Sequence, residues 1–554
     1  MGRALCLVSL FLGLTTYATA QQSGPTPSAQ TDAQEAAARI GTRAFAAAAT
    51  GPRTSPFTPP KESDIVFVVD SAPGLDTGCT FRSGGPLVFD IEITRWVGPV
   101  DASGHLLDPA ALVAAGVLSA NASVILPAFD VDVNGAPGFP PEVDRISLND
   151  KVLGTLTGDN NIWKLNQFTV DIADLRFPDR GAFGSKPTAA RNTIRIDIDT
   201  ASGSAENWCT SIDWASASFK AMSPVILTHG NNSDAGFWDR HNFANALADA
   251  HIPVDGCANT AICRNPLNLQ TSFVAVNGAR LASLIPGIVA SFGADSYHIV
   301  AHSKGGLDSR EFLANYAPSE LMLLSHNTLS TPHNGSVLAD ITVARGVSLN
   351  VFRRTRFVGF PTFTQTLVFL ANLTGPDDGA RNLTTTFTAG FNAGNVGSLP
   401  DADYNQVAAD ADRNGSASID IEAEVAALRL DDGTIRNLPV AIATRAVDPL
   451  YQILRNTAGI TTSTSVELVF VGSLLVPVQV LTITAVPTPG PLGNDMLVTL
   501  PSGLGFGSIR GRSTGSATFT GAAGRNHSDV ADDGVAATVI PWLLRAERNR
   551  GDLK

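Results

Sequence analysis

The sequence predicts a two-part protein: an antiparallel, jelly-roll-like β-sandwich followed by an α/β unit with a mostly parallel sheet. Short segments that alternate apolar and polar residues occupy about residues 61–221. From Pro224 to 554, apolar strands alternate with helix-like segments, which is the pattern of a parallel sheet covered on both faces. A chain of 554 residues is too long for a single core, which agrees with this division.

The first 20 residues have the pattern of a secretory signal peptide. Arg3 precedes the apolar run 5–14, and Ala18-Thr19-Ala20 supplies the small residues of a cleavage site. No later segment reads as a membrane-spanning helix. We therefore expect an exported protein, extracellular or periplasmic. Residues 21–60 are rich in Gln, Ser, Thr, Pro and Ala and predict a disordered linker.

The charge balance argues against nucleic acid as a partner. The chain has 38 Lys+Arg and 51 Asp+Glu, a net charge of −13, and it has no basic cluster. Proteins that bind nucleic acid use such clusters to neutralise phosphates. We expect a partner of another chemical class.

Four cysteines remain once the predicted signal peptide, which carries Cys6, is removed. An even number in an oxidising compartment predicts two disulfides. Cys257 and Cys263 bracket one short loop, while Cys79 and Cys209 bracket the predicted sandwich. We favour the pairings Cys257–Cys263 and Cys79–Cys209 over the two other connectivities that the sequence allows.

The predicted sandwich contains three tryptophans that could form a binding platform. Trp163, Trp208 and Trp214 could stack on a carbohydrate or another polymer, but packing in the core is the commoner role of such residues. We interpret the sandwich as an independently folded binding or targeting module. A chain that begins near Ala221 would then keep its activity on small soluble substrates.

The run from Tyr297 to Tyr316 predicts a strand, a tight turn and a helix. At its centre lies Ala301-His302-Ser303-Lys304-Gly305, where the residues two before and two after the serine are small. This is the pattern of a nucleophile elbow, a turn that presents a serine hydroxyl above the edge of a sheet. Ser303 is therefore the predicted nucleophile.

A serine hydroxyl needs a neighbouring imidazole as its base. Of the three histidines that follow Ser303, His326 and His333 come too soon after the elbow helix. His527 stands alone in the last part of the chain, directly before the final predicted helix, and is the base by elimination. The acid that orients it should follow a late strand, and two residues qualify, Asp448 and Asp495.

An oxyanion that forms at an attacked ester carbonyl needs donors. A backbone N–H of the segment His229-Gly230-Asn231-Asn232, together with that of Lys304, could supply them. Within that segment we favour Asn231 as the donor and His229 as a packing residue.

With these residues the C-terminal part resembles secreted bacterial α/β-hydrolases of the triacylglycerol lipase type. The resemblance covers about residues 224–545 and excludes the sandwich. In that family, the aspartate of Asn-Asp-x-Leu-Val is the acid and the histidine of Asn-His-x-Asp is the base, which favours Asp495. The matching stretches are His229-Gly230, 301–307, 331–336 with 339–341, and 494–498 with 526–529.

The resemblance also implies a structural calcium ion, which the chemistry itself would not require. The family's ligand two residues after the histidine corresponds to Asp529, and Asp448 is the candidate for the second ligand. The separate loop 410–415 opens like an EF-hand, but Ile421 stands where the bidentate glutamate belongs, so we interpret it as a solvated turn.

The family's lid would correspond to an insertion at about 336–438, which is rich in aromatic residues. Phe352, Phe357, Phe360, Phe363, Leu367 and Phe369 could line an acyl pocket or face lipid, or could pack in a core.

The sequence thus predicts a secreted lipase or esterase that acts on hydrophobic acyl esters, presented at a lipid interface or on an insoluble polymer. An extracellular polyester depolymerase would use the same residues. A noncatalytic glycan-binding surface protein is the alternative of another class, which the presence of Ser303, His527 and Asp495 disfavours.

Overall fold

The computed structural model describes residues 54–60, 65–135, 139–201, 208–267, 271–348, 353–360, 377–419, 448, 450–471 and 474–550. The predicted signal peptide lies outside these residues, as does the predicted linker apart from 54–60.

The N-terminal part consists of two antiparallel sheets. The alternation of apolar and polar residues in the sequence explains these sheets. In the strand Leu87–Ile93 every second side chain is buried, whereas Val88, which points to the other face, is exposed. The elements are β1 (Ile65–Val69), β2 (Thr80–Phe81), β3 (Leu87–Ile93), α1 (Pro109–Ala114), β4 (Asn121–Phe129), β5 (Arg145–Leu148), β6 (Lys151–Thr155), β7 (Trp163–Asp171), β8 (Ala190–Asp197), β9 (Cys209–Ile212) and β10 (Ala215–Phe219). One sheet has the order β1-β10-β4-β9-β2, with β7 beside β4, and the other has the order β3-β8-β5-β6.

The C-terminal part is built on a six-stranded sheet in the order β12-β11-β13-β14-β16-β19, in which all neighbours are parallel. A separate three-stranded sheet has the order β15-β18-β17. The strands are β11 (Val225–Thr228), β12 (Val254–Asp255), β13 (Ser296–His302), β14 (Met322–Leu329), β15 (Arg353–Val358), β16 (Asp403–Ala409), β17 (Thr457–Val471), β18 (Leu474–Pro487) and β19 (Ser513–Phe519). The helices are α2 (Phe237–Arg240), α3 (Phe243–Asp249), α4 (Val274–Ser291), α5 (Gly305–Asn315), α6 (Val337–Ser348), α7 (Asp378–Asn382), α8 (Thr385–Asn395), α9 (Leu500–Gly503) and α10 (Asp533–Arg550).

Helices cover both faces of the central sheet, as predicted. Ile299 of β13 belongs to the buried cluster that contains Leu281 of α4 and Phe312 of α5. Its neighbour Val300 belongs to the cluster that contains Leu543 of α10. Successive residues of a strand point to opposite faces, so β13 is buried from both sides.

Among the described residues one helix, α4, is long and apolar enough to span a membrane, judged by length and composition alone. The sequence analysis did not single it out. Its side chains Leu281, Ile285 and Ile288 are fully buried in the cluster beneath the central sheet. In this fold α4 is therefore a core helix.

The structure differs from the predicted lid-like insertion at 336–438 in one respect. Residues 403–409, inside that range, form β16 and pair with both β14 and β19 of the central sheet. Of the aromatic residues proposed to line a lid, Phe357 and Phe360 contact each other, with ring centres 5.9 Å apart, and pack against a buried cluster with Leu338. The others lie outside the described residues.

Both predicted disulfides are confirmed, Cys79–Cys209 and Cys257–Cys263. The first joins cysteines 130 positions apart in the chain. In the chain-entropy model, closing a loop of about 100 residues stabilises a fold by about 4.7 kcal/mol. The Cys79–Cys209 bridge is thus a major constraint on the N-terminal part.

Two of the three tryptophans pack in the core, as we favoured. Trp208 and Trp214 are each 2% exposed. Their indole N–H groups donate to the carbonyl oxygens of Pro140 and Phe57, both at 3.1 Å. A buried indole that is hydrogen-bonded in this way cannot stack on a polymer from solution.

The two parts of the protein share a continuous core. One buried cluster contains Leu126 of β4 as well as Trp238 of α2. The Trp96 amide donates to the Phe292 carbonyl oxygen at 3.0 Å, and the Arg180 guanidinium lies 3.8 Å from the centre of the Phe292 ring. The antiparallel sheets are therefore packed on the α/β unit.

Candidate active site

Ser303 lies at the sharp turn between β13 and α5. Its φ angle is 53°, which a non-glycine residue adopts only under constraint. The turn also brings α5 against the neighbouring strand, because a Cβ at Gly305 would lie 2.5 Å from the His229 carbonyl oxygen. The glycine two residues after the serine, which helped to suggest the elbow in the sequence, is thus required by close backbone contact.

The structure brings together the three residues that the sequence analysis favoured. Ser303 Oγ is 2.9 Å from His527 Nε2, and His527 Nδ1 is 2.9 Å from Asp495 Oδ2. All three residues are buried, with Ser303 7% and His527 8% exposed. In this geometry the imidazole can take a proton from the serine while the carboxylate fixes the ring orientation.

The Asp495 carboxylate is held by its own loop. Oδ1 accepts hydrogen bonds from the amides of Leu497 and Val498 at 3.0 and 2.7 Å, which leaves Oδ2 for the imidazole. The Asp495 carbonyl oxygen also accepts from the His527 amide at 3.0 Å. Of the two acids that the sequence left open, Asp495 is the one placed against His527. The carboxylate of Asp448 instead accepts from the Ser418 hydroxyl at 3.1 Å.

His302, which precedes the serine, is a supporting residue that the sequence analysis missed. Its ring stacks on Phe237 with centres 4.4 Å apart, and its Nε2 lies 2.8 Å from the His527 carbonyl oxygen. Burial lowers the pKa of His302 well below its ordinary value, and the proximity of His527 adds to this. A neutral His302 can therefore hold the loop of the base without competing with it for a proton.

The two residues predicted to stabilise an oxyanion, Asn231 and Lys304, both lie near the serine. Lys304 directly follows Ser303 in the chain. A Cβ at Gly230 would lie 2.7 Å from the Ser303 Cβ, so the segment before Asn231 passes directly beside the serine. The Asn231 side chain packs against Gly379 at the start of α7. The backbone amide of Asn231, rather than its side chain, is thus the donor to consider, together with the amide of Lys304.

Lys304 has a further role that the sequence did not indicate. Its side chain is fully buried and its ammonium group donates to Asp308 Oδ1 at 2.7 Å. Asn277 of α4 donates to the other oxygen at 2.8 Å. Burial raises the pKa of Asp308 to about 6, although Lys304 opposes that shift. This ion pair fixes the first turn of α5 and joins it to α4.

The two residues predicted to bind calcium have other partners. Asp529 Oδ2 accepts from the Arg413 guanidinium at 3.0 Å and from the Asn526 amide group at 2.9 Å. Asp448 contacts the loop that contains Ser418. A carboxylate paired with a guanidinium does not fit a calcium ligand. A calcium site shared by Asp448 and Asp529 stays a prediction from the resemblance alone.

The loop 410–415, interpreted from the sequence as a solvated turn, is instead part of the support of the site. Asp412 is 6% exposed, and Asp410 Oδ1 accepts hydrogen bonds from the Tyr451 hydroxyl at 2.9 Å and from the Asn494 amide at 3.4 Å. Asn494 precedes the acid Asp495. The position of Asp410 directly after the central strand β16 could have suggested this role.

Comparison with known proteins gives partial matches to lipases. No protein-family model matches the chain. The chain is 34% identical over 123 residues to a triacylglycerol lipase of Pseudarthrobacter phenanthrenivorans, which is 21% of this chain and 36% of that protein. It is 34% identical over 123 residues to a triacylglycerol lipase of Burkholderia plantarii, covering 32% of it, and 43% identical over 58 residues to triacylglycerol lipase 2 of Saccharomyces cerevisiae, covering 18% of it. The chain therefore spans about a third or less of the length of these relatives.

Solved structures give equally partial likenesses. Phospholipase PlaB of Legionella pneumophila aligns over 59% of this chain and 60% of its own at 12% identity, with a TM-score of 0.28. Aspergillus fumigatus lipase B aligns over 21% and 26% at 26% identity, with a TM-score of 0.18. These scores are too low to carry an argument. The chain is thus similar, over parts of its length, to triacylglycerol lipases.

Proposed function

We propose that this protein is a secreted serine hydrolase of the α/β-hydrolase type, which cleaves carboxylic esters of hydrophobic acyl groups. The observation that carries the proposal is the chain of two 2.9 Å hydrogen bonds from Ser303 through His527 to Asp495. The partial similarity to triacylglycerol lipases supports it independently, because the matched relatives act on esters.

In the proposed reaction, His527 Nε2 takes the Ser303 proton as Oγ attacks the ester carbonyl carbon. The negative oxygen that forms would be stabilised by the backbone amides of Lys304 and Asn231. The C–O bond to the alcohol then breaks, and the proton on His527 passes to the leaving alcohol. A water molecule, deprotonated by His527, attacks the acyl-serine and releases the acid, while the proton returns to Ser303. The reaction needs no cofactor.

The hairpin of β17 and β18 supports a substrate that is presented at a hydrophobic surface, because it exposes apolar side chains. Val466, Leu468 and Phe470 lie on one face of β17 and are 69%, 67% and 69% exposed. Leu475, opposite Phe470, is 52% exposed. A contiguous exposed apolar strip of this kind marks an interaction surface. An insoluble polyester offers the same kind of surface as a lipid, so a polyester depolymerase is the second candidate.

We also propose that the protein is exported and that the two antiparallel sheets form one sandwich. Export is supported by the predicted signal peptide and by two disulfides, which persist in oxidising compartments. The sandwich is supported by the shared cluster of buried side chains, in which Ile91 of β3 and Leu126 of β4 take part.

A covalent probe tests the proposed nucleophile. A fluorophosphonate should label the protein once, and peptide mass spectrometry should place the adduct on Ser303. Ser303→Ala should abolish both labelling and hydrolysis of p-nitrophenyl esters, while the control Ser283→Ala, on the exposed side of α4, should change neither. An adduct on another residue, or hydrolysis retained by Ser303→Ala, would exclude the proposed mechanism. Rates on esters of increasing chain length, an emulsified triglyceride and a polyester film then define the substrate.

A further inference from the structure

Three buried carboxylates lie together in the N-terminal part, outside the site described above. Glu142 is 2% exposed, and Asp144 and Asp199 are fully buried. The Asp199 amide donates to Asp144 Oδ1 at 2.8 Å, and Glu142 precedes Asp144 by two residues in the chain. We call Glu142, Asp144 and Asp199 the acidic cluster.

Most oxygen atoms of the acidic cluster are buried without a hydrogen bond. Both carboxylate oxygens of Asp199 accept none, and neither do Glu142 Oε1 and Asp144 Oδ2. An acceptor that is left unpaired away from water destabilises the fold. The nearby Arg82 guanidinium donates to the Asp199 carbonyl oxygen, at 3.1 Å, and not to its carboxylate. The unpaired oxygens therefore point to a positively charged partner.

Further negative charge surrounds the acidic cluster. The Asp132 amide donates to Glu142 Oε2 at 2.7 Å, and both Asp130 and Asp132 are 4% exposed. Burial, reinforced by the charges of Asp144, Asp130 and Asp132, raises the pKa of Glu142 well above its ordinary value. Burial also raises the pKa of Asp144 to about 7. A bound cation would offset the repulsion among these neighbouring buried carboxylates.

We propose that Glu142, Asp144 and Asp199 bind a calcium ion. All the unpaired acceptor atoms are carboxylate oxygens, a ligand set that suits hard cations, whereas zinc and copper sites in proteins are built mainly from imidazole and thiolate ligands. Calcium accepts six to eight oxygens in flexible geometry, whereas magnesium requires a near-ideal octahedron and keeps several waters, which a buried site excludes.

Ion binding would draw these side chains together. Among the described residues, the group of three ligand side chains whose donor atoms all lie within 4.8 Å is Cys79, Asp130 and Cys209, and its cysteines are joined in a disulfide. The donor atoms of the acidic cluster do not all lie within that distance of one another, so binding of an ion requires the three carboxylates to turn toward a common centre. Glu142 and Asp144 directly precede β5, and Asp199 follows β8, so the ion would fasten the ends of two paired strands.

Calcium binding by the full mature chain tests the proposal. Protein from which metal ions have been removed with EDTA should bind one calcium ion per chain at the acidic cluster, measured by equilibrium dialysis with ⁴⁵Ca²⁺. Its melting temperature should rise by about 5 °C in 1 mM CaCl₂, because a ligand that binds only the folded state stabilises it. Asp144→Asn and Asp199→Asn should each weaken this binding at least about 100-fold, as loss of a charged calcium ligand does.

The matched control is the double variant Asp448→Asn, Asp529→Asn, which changes the acids that the sequence resemblance suggested. It should retain the ion. Loss of the ion in this control, or undiminished binding by Asp199→Asn, would overturn the assignment. Where Asp199→Asn does not fold, Asp144→Asn and the wild type decide. A wild-type protein whose melting temperature is insensitive to calcium and EDTA would mean that the acidic cluster holds protons instead of an ion.

Discussion

The Asp410 carbonyl oxygen accepts a hydrogen bond from the Arg525 amide at 3.1 Å, which ties the end of β16 to the loop that carries His527. The Asp410 carboxylate at the same time holds the loop of Asp495, through the Asn494 amide and the Tyr451 hydroxyl. One residue therefore joins the loop of the acid to the loop of the base.

Asp410→Ala should lower kcat by about 10- to 100-fold with little change in KM, because small displacements of reacting groups are that costly. Asp410→Asn keeps Oδ1 as an acceptor and should retain most of the activity. Initial rates on a soluble ester, corrected by phosphonate titration of active sites, measure the effect. If the corrected kcat of Asp410→Ala equals that of the wild type, the residue supports folding only.

Asp495→Asn should lower kcat by about 10³- to 10⁴-fold, since it removes the charge that orients His527. Asp448→Asn preserves shape in the same way but contacts the loop of Ser418, so its kcat should stay within about twofold of the wild type. Both variants are compared on the same p-nitrophenyl ester. The opposite ranking would show that Asp448 is the acid.

Glu547→Gln should destabilise the protein by about 1.5–3 kcal/mol at neutral pH, because it removes the charge of a fully buried carboxylate that lies 3.0 Å from His298 Nε2. Burial alone would raise the pKa of Glu547, but the hydrogen bond and charge of His298 and the Ser223 amide lower it below its ordinary value of 4.5. A carboxylate with a lowered pKa stabilises the fold above its unfolded pKa and loses this contribution as the pH falls through the folded one.

The difference in urea midpoint between wild type and Glu547→Gln should therefore shrink between pH 6 and pH 3. The control Glu92→Gln, at an exposed carboxylate, should leave the midpoint unchanged within error at both values. A difference that is equal at pH 6 and pH 3 would contradict the assigned charge.

A chain that begins at Met222 should not fold into an active enzyme, although the sequence suggested that the N-terminal part is an independent module. Removal of the N-terminal part would expose Trp238. It would also remove the contacts that Trp96 and Arg180 make with Phe292. Circular dichroism and activity on soluble p-nitrophenyl acetate measure the outcome. A monomeric truncated protein with full soluble-ester activity would show that the shared core is dispensable.

Local spacing was sufficient to predict the elbow and the base, because the turn at Ser303 demands small neighbours and His527 has no competitor late in the chain. The residues of β16 fall inside the insertion predicted from the sequence, because this strand begins with polar residues and has no apolar pattern of its own there. Asn405 is buried there because its amide donates to Asn327 Oδ1 of the neighbouring strand at 2.8 Å. Such pairing between strands is invisible in a single sequence.

The choice between two acids also depended on distant structure. The position after a late strand left both Asp495 and Asp448 open; the resemblance of 494–498 favoured Asp495, and the fold places its carboxylate 2.9 Å from His527 Nδ1. The supporting contacts of His302 and Asp410 are likewise made to backbone atoms of other loops, which carry no signature in side-chain patterns.

The Ala411 amide donates to the Asn494 carbonyl oxygen at 2.8 Å, which holds two positions that are far apart in the sequence side by side. The entropy of closing a loop depends only weakly on its length, so the stretch of chain between these positions can change in length at little cost. The hairpin of β17 and β18, with its exposed apolar strip, lies within it. Substitutions on the exposed face of this hairpin can thus vary its apolar strip, while the hydrogen-bonded ends of the segment, beside Asp410 and Asp495, stay joined.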